Sequence, residues 1–505
     1  MYSARTKLAA ATISGVLTLA VLSALLLIAA HPAQAQTEPL FYNFTGGSDG
    51  GEPNSSLTAD GAGNFYGTTS VGGAFGVGTV FELSPNGSGG WNETVLYSFT
   101  GGADGANPTY SYVMFDSVGN LYGTAYRGGM YGWGVVFILS PVDTGWTESV
   151  LYSFANVGDG AWPVNGLIMD PAGNLYGKTF YNKNTGFGTV FELSPSSGGW
   201  TEQVIYNNDN ATAGYAGLTM DAAGNIFSAS LETVFELSPN GNGSWTPTVL
   251  HTFMGGHDGI GLFGTPVLDQ AGNLYGTTVE GGAGRRGTIY ELSPVTKGKK
   301  KGTWKEKILY SFKGSTDGDK PWAGIVFDST GNIYGTTAGG GTYSDGTAYE
   351  LVAPVGTGSY QEKILWSFNG LDGSLPEASL ILDSAGNLYG TTYLGGSGNN
   401  GVVFEVNPLG TATTTTTALM SSPNPSTLEE SVTFTAVVTP PPPDGETVSF
   451  IKAKTVLGSG TLSGGYASFT DSALKVGTTT VTAVYTGDGS FLGSTSNAVE
   501  QVVKK

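Results

Sequence analysis

DQAGNLYGTT, running from Asp269 to Thr278, returns almost letter for letter as DSAGNLYGTT from Asp383 to Thr392. Its first aspartate recurs at Asp60, Asp116, Asp170, Asp221, Asp269, Asp328 and Asp383, with successive spacings of 56, 54, 51, 48, 59 and 55 residues. Each copy carries four apolar-alternating segments separated by Gly, Pro, Asn and Asp turns, which is the pattern of short antiparallel strands. In the second copy these are Val95 to Phe99, Tyr112 to Asp116, Asn120 to Ala125 and Gly134 to Ser140. Four strands in about 50 residues is the size of a propeller blade. The repeats therefore predict an all-β fold: a seven-bladed β-propeller of four-stranded blades over residues 36–408, followed by an immunoglobulin-like β-sandwich.

Segments such as Thr189-Val190-Phe191-Glu192-Leu193 are apolar or small on both faces, as expected of a sheet covered by a neighbour on each side. One blade cannot bury both faces alone, and closing a ring supplies the missing neighbour. The array opens with Leu40 to Phe44, the equivalent of Val95 to Phe99, and ends with Gly401 to Val406, the equivalent of the fourth segment above. This phase predicts that Leu40 to Phe44 completes the last blade by pairing antiparallel with Val402 to Val406. Copy four is degenerate: Asn207 to Gly214 replaces the Asp-Gly loop, and its third loop shrinks to Ser228 to Glu232.

Composition agrees with a turn-rich β protein. The 505 residues include 81 Gly, only 12% are charged, and 39% are hydrophobic, enough for packed cores. Met1 to Ala35 reads as a secretory signal, with Arg5 and Lys7 ahead of an apolar run from Leu8 to Ala30 and a small-x-small site at Ala33-Gln34-Ala35. The run is also long enough to serve as an uncleaved membrane anchor. After cleavage no membrane span is expected. There is no cysteine, which rules out disulfides, thiolate metal sites and a Cys nucleophile.

Without Arg5 and Lys7, 19 cations face 40 acids, so the formal charge moves from -19 to -21. Such a surface argues against nucleic acid as partner, because phosphate binding needs basic patches. The one basic cluster, Lys297, Lys299, Lys300, Lys301, Lys305 and Lys307, reads as a solvated hairpin. Residues 409–417, with a Thr run from Thr413 to Thr417, read as a linker merging into a strand. Residues 418–505 have the length of one sandwich domain, with β-rich segments at Val432 to Thr439, Thr447 to Ile451, Tyr466 to Phe469 and Thr479 to Tyr485.

In an up-and-down meander alternate connections share a face. The Gly-Gly-x-Asp-Gly loops therefore lie with the Gly-Gly-x-x-Gly-x-Gly loops, and the Asp-x-x-Gly-Asn turns lie on the opposite face. The repeated Asp60-type carboxylate suits a tight turn, accepting backbone N-H groups while the Gly takes positive φ. The second aspartate set, Asp49, Asp104, Asp159, Asp258, Asp317 and Asp372, has the same explanation. A ring of Ca²⁺ sites is the weaker alternative, since copy four lacks the motif. No cofactor is expected. His251 and His257 come without a nucleophile elbow and are too few for a zinc site.

Two stretches carry a family resemblance. The units DQAGNLYGTTVEGG and GTVFELSP followed by GWTEQVIY resemble the GloVer (Gloeo/Verruco) tandem repeat of secreted bacterial proteins, over Leu40 to Pro408. The tail, VTFTAVVTPP through GETVSFIKAKTVLGSGTLSGG, is similar to bacterial Ig-like repeat domains. The resemblance implies a surface or secreted protein and brings no established activity or catalytic residues. No sorting tail precedes Lys505, so attachment through the C-terminus is not expected.

Where the copies differ, the Gly-rich face gains aromatics: Tyr126, Tyr131, Trp133, Trp162, Tyr181, Phe187, Trp322 and Tyr343. Aromatics beside Asp, Asn and Gly are what sugar stacking requires, with packing at strand ends as the alternative. The candidate ligand-binding residues are Tyr126, Tyr131, Trp133, Trp162, Trp322, Tyr343, Asp104 and Asp159. By contrast Trp91, Trp146, Trp200, Trp245 and Trp304 recur at one position on the other side and read as blade packing. No catalytic or metal residues are assigned. The expectation is a secreted or cell-surface, monomeric, non-catalytic binding protein whose partner is a glycan, another surface polymer or a protein. A polysaccharide hydrolase or lyase, and a purely structural surface protein, are the alternatives.

Overall fold

The computed structural model describes residues 40–86, 90–207, 214–298, 302–354, 358–408, 415–442, 445–452, 455–487 and 491–505. The expected signal segment, most of the expected linker and Lys299 to Lys301 lie outside these residues. Every regular element among the described residues is a strand. The chain divides into two compact units, one of which is Pro39–Leu409 and the other of which holds the C-terminal residues.

The first unit is a propeller-like array of seven four-stranded antiparallel sheets. In the second sheet the strands are Met114–Phe115, Leu121–Ala125, Val135–Val142 and Gly145–Ser153, paired in that order. The Leu-Tyr-Gly-Thr strand is buried along its whole length, because neighbouring sheets cover both of its faces. Its glycine faces the aromatic of the third strand: Gly123 pairs with Phe137, and a Cβ on Gly123 would come within 2.6 Å of the Phe137 ring. The same fit recurs at Gly67 with Phe81, Gly276 with Tyr290 and Gly390 with Phe404.

In five of the seven sheets the threonine after Leu-Tyr-Gly, Phe-Tyr-Gly or Ile-Tyr-Gly ties the sheet to its neighbour. Thr124 Oγ1 donates to the Asn165 carbonyl, Thr277 to Ala323 and Thr336 to Ala378, at 3.1, 2.9 and 3.2 Å. The third sheet has Lys178 there instead, whose Nζ donates to Ser228 Oγ and the Ala229 carbonyl of the fourth. The fourth strand of the seventh sheet is the N-terminal Leu40–Asn43, paired antiparallel with Val402–Val406 as the phase of the repeats requires: Leu40 lies opposite Phe404, Tyr42 opposite Val403 and Asn43 opposite Val402.

The recurrent tryptophans start the fourth strands and pack inward. Trp91 lies 3.9 Å from Phe41 between ring centroids, and Trp245 lies 5.8 Å from Tyr176 edge to face.

The second unit is a sandwich of a three-stranded sheet and a larger sheet built around Gly477–Gly487. Val432–Thr439 alternates buried and half-buried residues, so Val432, Phe434, Ala436 and Val438 meet Val448, Phe450, Ala483 and Tyr485 in one core. The linker expected over residues 409–417 is shorter than its Thr run implied. Thr416 and Thr417 already belong to the strand Thr416–Ser422, opposite Thr439 and Val438, since β-branched threonine suits a ladder edge.

Candidate functional site

The repeat aspartates are turn builders. Asp269 Oδ1 accepts the N-H groups of Ala271 and Asn273 at 2.8 and 2.9 Å, and its Oδ2 accepts Asn273 Nδ2 at 2.8 Å and the Tyr275 hydroxyl at 3.1 Å. Burial works to raise the pKa of this carboxyl, but the bonds from Asn273, Tyr275 and Ala271 outweigh it and hold the group below its ordinary range. Gly272 takes φ +81°, the left-handed turn geometry that a side chain disfavours.

The second aspartate set is equally occupied. Asp104 accepts Thr100 N at 2.7 Å, Thr100 Oγ1 at 2.5 Å and the Tyr97 hydroxyl at 3.0 Å. Asp159 accepts Ala155 N at 2.7 Å, Val157 N at 2.9 Å and the Tyr152 hydroxyl at 3.1 Å. In the fourth sheet His251 Nε2 takes the tyrosine's place, 3.2 Å from Asp258 Oδ1. Five of these aspartates, Asp49, Asp104, Asp159, Asp258 and Asp317, lie beside a glutamate of the neighbouring sheet. Glu148 and Glu202 are pushed up to about 7 by burial and then by the charge of Asp104 and Asp159 respectively, and each has a buried Oε1 without a hydrogen-bond partner. Among the described residues no three His, Cys, Asp or Glu side chains are grouped to hold a metal ion.

A strongly divergent position lies six residues before each repeat aspartate, where the first strand of each sheet is entered: Asn54, Tyr110, Val164, Tyr215, Phe263, Trp322 and Glu377. Six of these seven line one cavity of about 290 Å³, and Asn165 stands in for Val164. All seven sheets contribute to its wall. The rings converge: Tyr110 to Tyr215 is 5.0 Å, Tyr215 to Phe263 is 5.7 Å, and Phe263 stacks on Trp322 at 4.3 Å with an interplanar angle of 8°. The Tyr110 hydroxyl donates to Glu377 Oε2 at 3.2 Å. Burial pushes the Glu377 carboxyl above its usual range, and the Tyr110 bond pulls the other way. Deeper in, the wall is made of small residues such as Ser55, Gly264, Ala323 and Ala378.

Phe263, Trp322 and Glu377 also line a second cavity, of about 730 Å³, among the loops of the fifth to seventh sheets. Its charged residues include Arg286, paired with Asp319 at 3.0 Å, and the exposed Lys320.

The aromatics picked out from the sequence fall into three places. Tyr126, Trp133 and Trp162 form a cluster with Tyr181: Tyr126 stacks on Trp162 at 5.8 Å and 16°, with Trp133 at 5.5 Å and Tyr181 at 5.4 Å from Trp162. Trp162 is held at φ +57°, with its N-H on the Trp133 carbonyl at 2.8 Å. Trp322 belongs to the central belt. Tyr131 and Tyr343 are 56% and 59% exposed in the Gly-rich loops, as is Phe75 at the equivalent position. Tyr110, Tyr215, Phe263 and Glu377 escape a reading that looks for aromatics in the Gly-rich loops. Their signal is positional: they occupy one column of the repeat in which almost no two copies agree.

This is an all-β tandem-repeat protein with one concave, aromatic-lined centre and a separate sandwich. The chain belongs to the Gloeobacter/Verrucomicrobia repeat family, whose model matches residues 27–232 and 228–437. Residues 419–504 match the bacterial Ig-like domain (group 3). Together they mark a surface or secreted protein. No curated protein matches the chain.

Among solved structures the chain is similar to the extracellular domain of a protein described as a one component system from B. thetaiotaomicron, at 12% identity and a TM-score of 0.47. That match covers 93% of this chain and 59% of the other, so this chain spans about three fifths of its length. It is also similar to a Thermus thermophilus protein named as an oxidoreductase (glucose dehydrogenase), at 12% identity and a TM-score of 0.35, over 73% of this chain and 99% of the other.

Proposed function

We propose that the Pro39–Leu409 unit is a closed seven-bladed β-propeller and that the protein is a secreted or surface-exposed, non-catalytic binding protein taking a glycan at the centre of its Gly-rich face. One observation carries this reading. The repeats are nearly uniform wherever they build sheets, yet at the column running from Asn54 to Glu377 they diverge, and the divergent side chains converge on one cavity. Structural positions in an array are held alike by equivalent packing, so this divergence is accounted for by an asymmetric ligand.

The chemistry fits a sugar. Stacked Phe263 and Trp322 offer an apolar ring face, while Glu377, Asn54 and Ser56 supply polar groups around it. Acidic surroundings disfavour a polyanion. The fold accounts for the site as a binding surface without assigning it a metal or a cofactor, and a monomer suffices, since all seven sheets of one chain contribute.

A glycan array with parallel turnover assays tests the reading. Binding without release of products, abolished by Trp322→Ala, is the expected result; absence of any glycan binding overturns it. Turnover is the second reading, and the raised carboxyl of Glu377 against Tyr110 is the observation that favours it. Release of reducing ends or unsaturated sugars, lost in Glu377→Gln, would establish that reading instead.

A further inference from the structure

The wall of the central cavity sets five aromatic rings around one carboxylate and contains no cation, and we propose that it is a receptor for an organic ammonium group. On the glycan reading above, which this deepens, the ligand is then an amino sugar whose nitrogen is not acetylated. The ammonium assignment itself stands on the cavity alone.

Tyr110, Tyr112, Tyr215, Phe263 and Trp322 supply the rings and Glu377 the charge, and no Lys, Arg or His lines this cavity. Arg286 and Lys320 line only the second one. An aromatic ring carries partial negative charge on its face, so several rings around one space attract a cation, most strongly where water is excluded. At about 290 Å³ the cavity is at the small end of the roughly 300–1,000 Å³ typical of ligand sites, which suits a headgroup or a single sugar ring. The chain's formal charge of -19 adds a long-range attraction for cations.

Glu377 lacks a counter-ion. None of the ion pairs among the described residues involves it. Its Oε2 takes the Tyr110 hydroxyl, and among the described residues no other hydrogen bond reaches the carboxylate. Keeping such a group ionised is costly, which is why burial raises its pKa, and a cationic ligand removes that cost. Burial, then the charge and hydrogen bond of Glu52, then the charge of Glu377 push the Tyr393 hydroxyl up, which places a second carboxylate close to the first.

Most other polar side chains of the wall are committed to building it. Ser55 bonds to Thr68, Asn165 to the Tyr215 carbonyl and the Gly166 N-H, Thr265 to the Gly217 N-H and Ser379 to the Gly324 N-H. Asn54 spends its Oδ1 on the Tyr110 N-H. Hydroxyl recognition therefore falls mainly to Ser56 and the Asn54 amide nitrogen, whereas an ammonium group needs only the free Glu377 oxygen and the rings.

The test is isothermal titration of the full chain at neutral pH with two matched sets: choline against its neutral isostere 3,3-dimethylbutan-1-ol, and glucosamine against glucose and N-acetylglucosamine. The cation of each set should bind about tenfold tighter than its neutral analogues or better, and added salt should weaken it. This comparison needs no variant. Glu377→Gln should remove most of the preference, and Trp322→Phe, which keeps a ring, should retain more of it than Trp322→Ala; circular dichroism checks that the variants fold. Equal affinity for the charged and neutral members of both sets, or failure of both cations to bind, would overturn the receptor and leave the glycan reading in place. Choline binding with only amine-free glycans positive on the array would uphold the receptor and overturn the amino sugar as its ligand. Choline binding with no glycan positive at all would uphold the receptor and overturn the glycan reading.

Discussion

Thr391 Oγ1 donates to the carbonyl oxygen of Ser55 at 3.0 Å, joining the last sheet of the repeat unit to the first across 336 residues of chain. The bond is equivalent to those from Thr277 to Ala323 and from Thr336 to Ala378, which join sheets adjacent in sequence. If the array is a closed ring, all three bonds have the same environment. Thr391→Val, Thr277→Val and Thr336→Val should then each lower stability by about 1 kcal/mol, the net worth of a typical buried hydrogen bond. Urea melts of the three variants check this. A Thr391→Val protein as stable as the parent, beside two weakened neighbours, would open the ring.

Acid pairs at the joints between sheets make stability depend on pH. Glu93 lies beside Asp49, Glu148 beside Asp104, Glu202 beside Asp159 and Glu362 beside Asp317. Burial first, and then the neighbouring charge, raises the first three to about 7; Glu362 is raised to about 8 by burial, then by its hydrogen bond to Asp317 and that residue's charge. In the folded protein these groups hold protons that the unfolded chain has already released. Stability is therefore greatest near the unfolded carboxylate range and falls as pH rises through about 7 to 8. Their partial exposure softens the effect. Melting temperature measured from pH 5 to pH 9 should decline, and the quadruple Glu→Gln variant should flatten that decline and melt higher at pH 8. A parent that gains stability over this range would contradict the assignment.

Lys178 works in the opposite direction. It is 6% exposed, has two neutral acceptors and no carboxylate on it, and burial lowers its pKa to about 7. Between about 7 and its ordinary value the unfolded chain holds the proton that the folded chain has lost, so this residue makes stability rise with pH in that window. Thr occupies the same position in five of the other sheets, at Thr68, Thr124, Thr277, Thr336 and Thr391. Lys178→Thr should raise the melting temperature by a few degrees at neutral pH, with the gain shrinking toward pH 10. Thermal melts at pH 7 and pH 10 decide it. Ser228 remains bonded to the Gly217 carbonyl in the variant, while the Ala229 carbonyl loses the Lys178 donor, which offsets part of the gain.

Much of the fold was legible because a repeat states its rule several times. The Asp-x-x-Gly-Asn turn, the four strands and the pairing of Leu40–Asn43 with Val402–Val406 all follow from the period and its starting phase. The centre was less legible for a physical reason. Tyr110, Tyr215 and Glu377 are unremarkable by type, and they become a site only because seven first strands bring the same column together. Trp322 stood out as a tryptophan among glycines, although its stacking partner Phe263 lies in another sheet 59 residues away. Asp104 and Asp159 looked available in the sequence because their partners, Tyr97 and Tyr152, sit seven residues upstream on the preceding strands.

The hydrogen bond between Tyr110 and Glu377 gives binding a pH dependence whose direction can be worked out. Burial raises the Glu377 carboxyl, and the Tyr110 hydroxyl stabilises its charged form. An ionised carboxylate accepts hydrogen bonds from sugar hydroxyls at its remaining lone pairs, and protonation removes that capacity. Affinity for the glycan bound best on the array should therefore weaken as pH falls through the raised pKa of Glu377. Tyr110→Phe deletes the bond that favours ionisation and should move the midpoint to higher pH. Glu377→Gln should lower affinity at neutral pH and abolish the pH dependence below it. Titration calorimetry of the three proteins from pH 4 to pH 8 separates these outcomes. A midpoint that stays where it was in Tyr110→Phe would mean that another group carries the titration.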